Sequence, residues 1–228
     1  MEHMPQKIEQ KTIQNFFEDL KFRLAIYDEA RAQTDVYLAS RFNVFDYLEN
    51  DETLLSRIIK DLLNPKGTHG QKDAFLQVFL KQVGKAEHLS SFVSIQTEVS
   101  TRDGRRIDIL LDFEKFGIGI ENKPSARDQY NQLKDYVEFL DGKYKGNFLM
   151  IYLSGDNSQP EMESIDKDAR EKLEKEKKFL TWSYATDLKA FIEASIKETQ
   201  ADKVRHFLRD FHQYVVNNFQ NIEQPDQQ

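Results

Sequence analysis

The chain has 228 residues, 39% of them apolar and 31% charged, with 32 Lys+Arg against 39 Asp+Glu and a formal charge of −7. It has no cysteine. That excludes a disulfide scaffold, a Cys-ligated zinc site and a thiol nucleophile, and it fits a reducing cytoplasm. No apolar run approaches the roughly 20 residues of a membrane span, and residues 1–11 hold no apolar signal core. Seventeen Phe and nine Tyr argue for a packed core. The acidic balance argues against a globally basic nucleic-acid coat protein, although net charge says little about local patches.

No repeat and no Gly/Ser- or Pro-rich linker divides the chain, so 1–228 reads as one domain with helical ends. Ile13, Phe16, Phe17, Leu20, Leu24 and Tyr27 recur at helical spacing within an N-terminal extension, 11–40. Asn50 can cap a helix over 51–63, with Asp51 and Glu52 in its first turn. Asn64-Pro65 ends it, Gly67 and Gly70 mark a loop, and 74–83 reads as another helix. Strands follow at 92–99, 106–113 and 117–123, joined by Asp103-Gly104 and Glu114-Lys115 turns. In the second, Ile107, Ile109 and Leu111 alternate with Asp108, Leu110 and Asp112. Tyr130, Leu133, Val137 and Leu140 share one face of a helix over 127–140, and 147–153 is a continuous apolar run suited to a strand buried on both sides. Residues 155–177 read as a solvated loop and helix, and 179–184 as a further strand. The C-terminal part, 185–219, carries helices at 188–196 and 204–219; the tail 221–228 reads as disordered. The order predicts an α/β fold, a mixed sheet flanked by helices.

The chemistry concentrates in Arg106-Ile107-Asp108-Ile109 and Ile120-Glu121-Asn122-Lys123. On paired strands the Asp108 and Glu121 carboxylates can converge, forming a minimal hard-cation site of the kind Mg²⁺ or Mn²⁺ prefers. Glu121 and Lys123 share a strand face. Gly119 lies on that face too and leaves room for a substrate or metal. A lysine beside a metal-bound water can orient that water and stabilise phosphate charge. Taken alone, the same residues also fit the wet face of a hairpin; their setting within apolar strands favours chemistry.

These residues resemble the PD-(D/E)XK nuclease superfamily over about 42–153. The resemblance implies a restriction-endonuclease-like αβββαβ core, with Asp108 as the second-strand Asp and Glu121-Asn122-Lys123 as the (D/E)-x-K. Ile107 stands where the namesake Pro would be. One bacterial subgroup is closer: Leu62-Leu63-Asn64-Pro65 precedes His69-Gly70, and Ile120–Lys123 precedes Gln132-Leu133-Lys134-Asp135-Tyr136. That subgroup often has a His before the Ser at position 56, where this chain has Leu55.

The resemblance implies a Mg²⁺- or Mn²⁺-dependent endonuclease, a hydrolase expected to act on DNA. Asp108, Glu121 and Lys123 would be catalytic, and Asp108, Glu121, the Asn122 carbonyl and Glu52 would hold the metal. Gln132, Tyr136 and His69 would support the site, and Glu98 is a further candidate ligand. Arg105, Arg106 and Arg127 would contact nucleic acid. The alternative is a nuclease fold serving as a non-catalytic binding or assembly module. Double-strand cleavage would commonly need a homodimer, for which the aromatic C-terminal helix is one candidate surface, core packing being its other use. Residues 98–136 hold 8 acids against 7 bases, or −1, so most of the acidity lies elsewhere. Setting Asp108 and Glu121 against a bound cation leaves +1, which predicts weak, salt-sensitive nucleic-acid binding on one local face.

Overall fold

The computed structural model describes residues 5–39, 42–101, 104–125 and 129–219. The tail 221–228 lies outside them. The chain divides into two compact units, 1–42 and 43–228. The first is one helix, α1 (Pro5–Leu38), whose Ile13, Phe16, Phe17, Leu20, Leu24 and Tyr27 are all exposed.

The second unit is built on a five-stranded sheet. Its strands are β1 (Phe92–Ser100), β2 (Arg106–Phe113), β3 (Gly117–Lys123), β4 (Phe148–Ser154) and β5 (Phe179–Ser183), in spatial order β1-β2-β3-β4-β5. β1, β2 and β3 pair antiparallel, as the two tight turns demand. β4 and β5 add in parallel. The helix expected before β4 is α4 (Gln132–Tyr144), so the connection between parallel strands is a crossover. α2 (Glu52–Leu63) and α3 (Ala74–Gln82) precede the sheet; α5 (Lys167–Lys175), α6 (Lys189–Glu198) and α7 (Asp202–Phe219) complete the unit. This is the α/β, restriction-endonuclease-like architecture.

The sheet separates two cores. On one face, Ile109, Leu111, Ile118, Ile120, Ile151 and Leu153 pack with apolar residues of α2, α3, α6 and α7. On the other, Leu110, Met150 and Tyr152 meet Leu133, Tyr136 and Leu140 of α4. Each fully buried Leu, Ile or Phe stabilises by roughly 1.5–3 kcal/mol relative to leaving it in water. The aromatic stripe of α7 is spent here: Phe211, Val215 and Phe219 are buried in the first core.

Several boundaries differ from the sequence reading. Asp51, not Asn50, caps α2, its carboxylate accepting from Leu54 N at 2.7 Å. α4 begins at Gln132 rather than 127 because Asn131 adopts a left-handed conformation, φ 55°, and donates its N–H to Glu163. Tyr130 therefore stays outside the helix and exposed. A turn of π-helix (Tyr184–Leu188) precedes α6, and 3-10 turns (Val44–Tyr47, Ala86–Ser91) flank α2 and β1; none has a clear periodic signature. Strict alternation also fails along β2. Ile107 joins the α4 core while Ile109 joins the opposite one. The β2–β3 ladder stops at Ile109↔Ile120, and across from this point of β2 Glu98 takes φ 53°. β2 thus turns away from β3 where Asp108 stands. Among the described residues no helix is long and apolar enough to cross a membrane.

Candidate active site

β3 is buried along its whole length, so Glu121 and Lys123 are not a wet strand face. Glu121 is 1% exposed, Asn122 0% and Lys123 8%. Burying such groups is costly unless they are paired. They are paired with one another. Lys123 Nζ lies 2.8 Å from Glu121 Oε1 and 3.3 Å from Glu52 Oε2, which α2 brings from 71 positions away. Gln132 Nε2 donates to Glu121 Oε1 at 2.7 Å, while Tyr136 Oη donates to the Arg106 carbonyl at 2.6 Å. Gln132 and Tyr136 are thus one helical turn apart and joined to each other at 3.2 Å.

Asp108 reaches this group because of the turn in β2. Its Oδ2 accepts the Asn122 backbone N–H at 2.7 Å, taking the place of a ladder carbonyl. The carboxylates of Asp108 and Glu121 lie against one another. Burial pushes both toward the protonated form: Asp108 to about 6, the Glu52 charge adding to the rise and the Asn122 N–H opposing it, and Glu121 well above the usual carboxylate range, the Asp108 charge adding to it. Burial works against the Lys123 ammonium, but the Glu121 carboxylate outweighs it, so its pKa ends above the usual lysine value. The direction favours the ammonium form of Lys123.

The group opens on a cavity of about 400 Å³ also lined by Glu52, Ser56, Arg57, Glu98, Arg105 and Arg106. Arg105 is tied back by Asp135 at 2.6 Å and by the Tyr130 carbonyl, and Arg106 meets Glu98 at 3.0 Å on the rim. Arg127 lies outside the described residues.

Two expected residues are used differently. His69 is absent from the cavity lining: its Nε2 donates to the Asn64 carbonyl at 2.9 Å and its Nδ1 accepts from Gln71 N at 3.0 Å, so both ring nitrogens hold its own loop. Gly119 leaves no room for substrate. A Cβ there would stand 2.9 Å from Leu140, so the glycine lets α4 approach the sheet.

Asn122 lies behind the cavity wall. Its amide donates to Ser56 Oγ at 2.9 Å and the Glu52 carbonyl at 3.2 Å, and its Oδ1 accepts from Tyr184 Oη at 2.7 Å. This clamp joins the first turn of α2, which carries Glu52, to β3, which carries Glu121 and Lys123. Tyr184→Phe removes one donor and leaves a buried acceptor unsatisfied; thermal unfolding is expected to show a loss of about 1–3 kcal/mol.

Ser56, Arg57 and Tyr184 were not picked out from sequence. For the first two a signal existed: Glu52, Thr53, Ser56 and Arg57 form a polar stripe at helical spacing, opposite Leu55 and Ile59. Tyr184 is distant in sequence and carried none.

A mixed αβββαβ sheet with two touching carboxylates and a lysine at its centre defines the class of this site. The chain matches the PD-(D/E)XK nuclease superfamily over residues 42–213, and it belongs to that superfamily. Searches of curated proteins and of solved structures give no match.

Nucleases of this superfamily generally use divalent metals, and the residues fit one. Glu121 Oε2 is buried and no donor reaches it. The available donors are hard oxygens. Among the described residues no group of three or more His, Asp or Glu could hold an ion by itself. A two-carboxylate set of this kind suits a cation that keeps several waters and takes substrate phosphate oxygens.

Proposed function

We propose that this chain hydrolyses phosphodiester bonds in nucleic acid, DNA being the expected substrate, with Mg²⁺ or Mn²⁺ as cofactor. The observation that carries the reading is the convergence of Asp108 and the buried Glu121 on one cavity, with the Lys123 ammonium 2.8 Å from Glu121 Oε1. When bound, the cation supplies Lewis-acid neutralisation of the phosphate and acidifies a water. Asp108 and Glu121 would hold it, with Glu52 nearby. Lys123 would position or activate the attacking water and stabilise the phosphate charge. Gln132 fixes the Glu121 carboxylate, and Tyr136 fixes Gln132.

The test is a cleavage panel of duplex DNA, single strands and RNA, with Mg²⁺ or Mn²⁺ and with EDTA. Cation-dependent cleavage of any of them supports the reading. No cleavage, together with no cation binding, would instead favour a nuclease fold kept for binding or assembly.

Arg57 is exposed on α2 and lines the cavity, with no ion pair among the described residues. It is well placed to contact phosphate. Arg57→Ala is expected to weaken binding of all sequences alike and to lower the salt dependence by about one ion. Kd measured across a salt series checks this.

A further inference from the structure

A second cavity also reaches Lys123. It has a volume of about 470 Å³ and lies among the ends of β3 and β4 and the last turns of α7. A volume of that size falls within the range of roughly 300–1,000 Å³ typical of small-ligand sites. Its wall carries the half-buried ring of Tyr214, the edges of the core residues Tyr152 and Phe219, and two amides, Asn50 and Asn218. The Asn50 amide nitrogen donates to the Phe45 carbonyl, while its Oδ1 receives no hydrogen bond. The charges among the described lining residues are Lys123 and Asp156.

This chemistry does not suit a second phosphate. The one cation among the described lining residues, Lys123, forms its ion pairs with Glu121 and Glu52 on the active-site side, so this cavity has no cation of its own for a second phosphate. Aromatic rings beside amides suit a planar heterocycle with a hydrogen-bonding edge. We propose that this cavity takes the base of the nucleotide next to the phosphate bound at Lys123. The inference rests on the nuclease reading and narrows its substrate. A base seated in a cavity is unstacked from its neighbours and unpaired. Single strands and frayed ends are therefore favoured over the interior of a duplex.

The test compares two 12-residue chains with the same phosphates, one of thymidines and one wholly abasic. Equilibrium binding is read by fluorescence anisotropy in Ca²⁺, a hard cation used to hold the chains uncleaved. The wild-type protein is expected to bind the thymidine chain about tenfold tighter, the scale of one base stacked on an aromatic ring. Two substitutions fill the cavity from separate elements. Both positions are exposed: Ser158→Trp in the loop after β4 and Asn218→Trp on α7. Each is expected to bring the ratio close to one while leaving the affinity for the abasic chain unchanged. Equal binding of the two chains by the wild type, or a preference that survives both substitutions, overturns the base site alone. Failure of the wild type to bind either chain also overturns the base site; the nuclease reading is then decided separately by the cleavage panel on duplex DNA and RNA.

Discussion

Lys123→Ala is expected to lower cation-dependent cleavage by about 10²–10³-fold, the usual effect of removing one donor aimed at developing oxyanion charge. The loss should fall in kcat more than in KM, because the ammonium lies among buried carboxylates and meets the substrate at the reacting centre. Stability is a separate matter. Removing one partner of a buried pair leaves the other uncompensated, which typically costs 3–5 kcal/mol. Here the cost is smaller, because Glu121 already favours its protonated form and Gln132 still donates to it. Lys123→Met keeps most of the buried stem and separates the two effects. Both variants should melt cooperatively, retain the β-sheet circular dichroism signal and show the same loss of cleavage. A folded Lys123→Met protein that cleaves at the wild-type rate would remove Lys123 from the mechanism.

The sheet was legible because its strands are written in local chemistry. The apolar run at β4 and the two short turns around β2 announce themselves, and the E-x-K triplet marks β3. The three residues Glu121, Asn122 and Lys123 could be read as a site, but their depth could not. Burial of β3 on both faces depends on α2 and α4 closing over it, which no window of sequence contains. The same limit hid the turn at Asp108. Alternation places Ile107 with Ile109, yet the end of the β2–β3 ladder puts them in different cores. It is this departure that delivers the Asp108 carboxylate to Asn122 N. Gly119 shows the converse. An absent side chain reads as space for a ligand, whereas here Leu140 occupies it. His69 was given weight by resemblance, and its two ring bonds to its own loop show a staple. The Asn122 clamp through Tyr184 joins residues 62 positions apart and leaves no pattern to find.

The cation-free protein is expected to lose stability as pH rises from about 4 to about 6. Asp108 titrates near the ordinary carboxylate value of 3.8 when unfolded and at about 6 when folded, chiefly because it is buried. Between those values the folded state binds more protons than the unfolded one, so stability falls with rising pH. The penalty is absent below pH 4 and complete above pH 6, and a displacement of that size corresponds to roughly 3 kcal/mol. Glu121 displaces in the same direction and extends the decline upward. A divalent cation meets the same need as the proton, and binding to the folded state alone stabilises by mass action. Mg²⁺ or Mn²⁺ should therefore raise the melting temperature strongly at pH 7 and little at pH 5, where protons compete for the carboxylates. Asp108→Asn removes the charge while keeping the shape. It should be more stable than wild type without cation at pH 7, show a flatter pH profile, and bind Mn²⁺ far more weakly by calorimetry. If wild type and Asp108→Asn both bind no Mn²⁺ and share one pH profile, the carboxylate pair is not a cation site, and a binding or assembly role for the fold becomes the better reading.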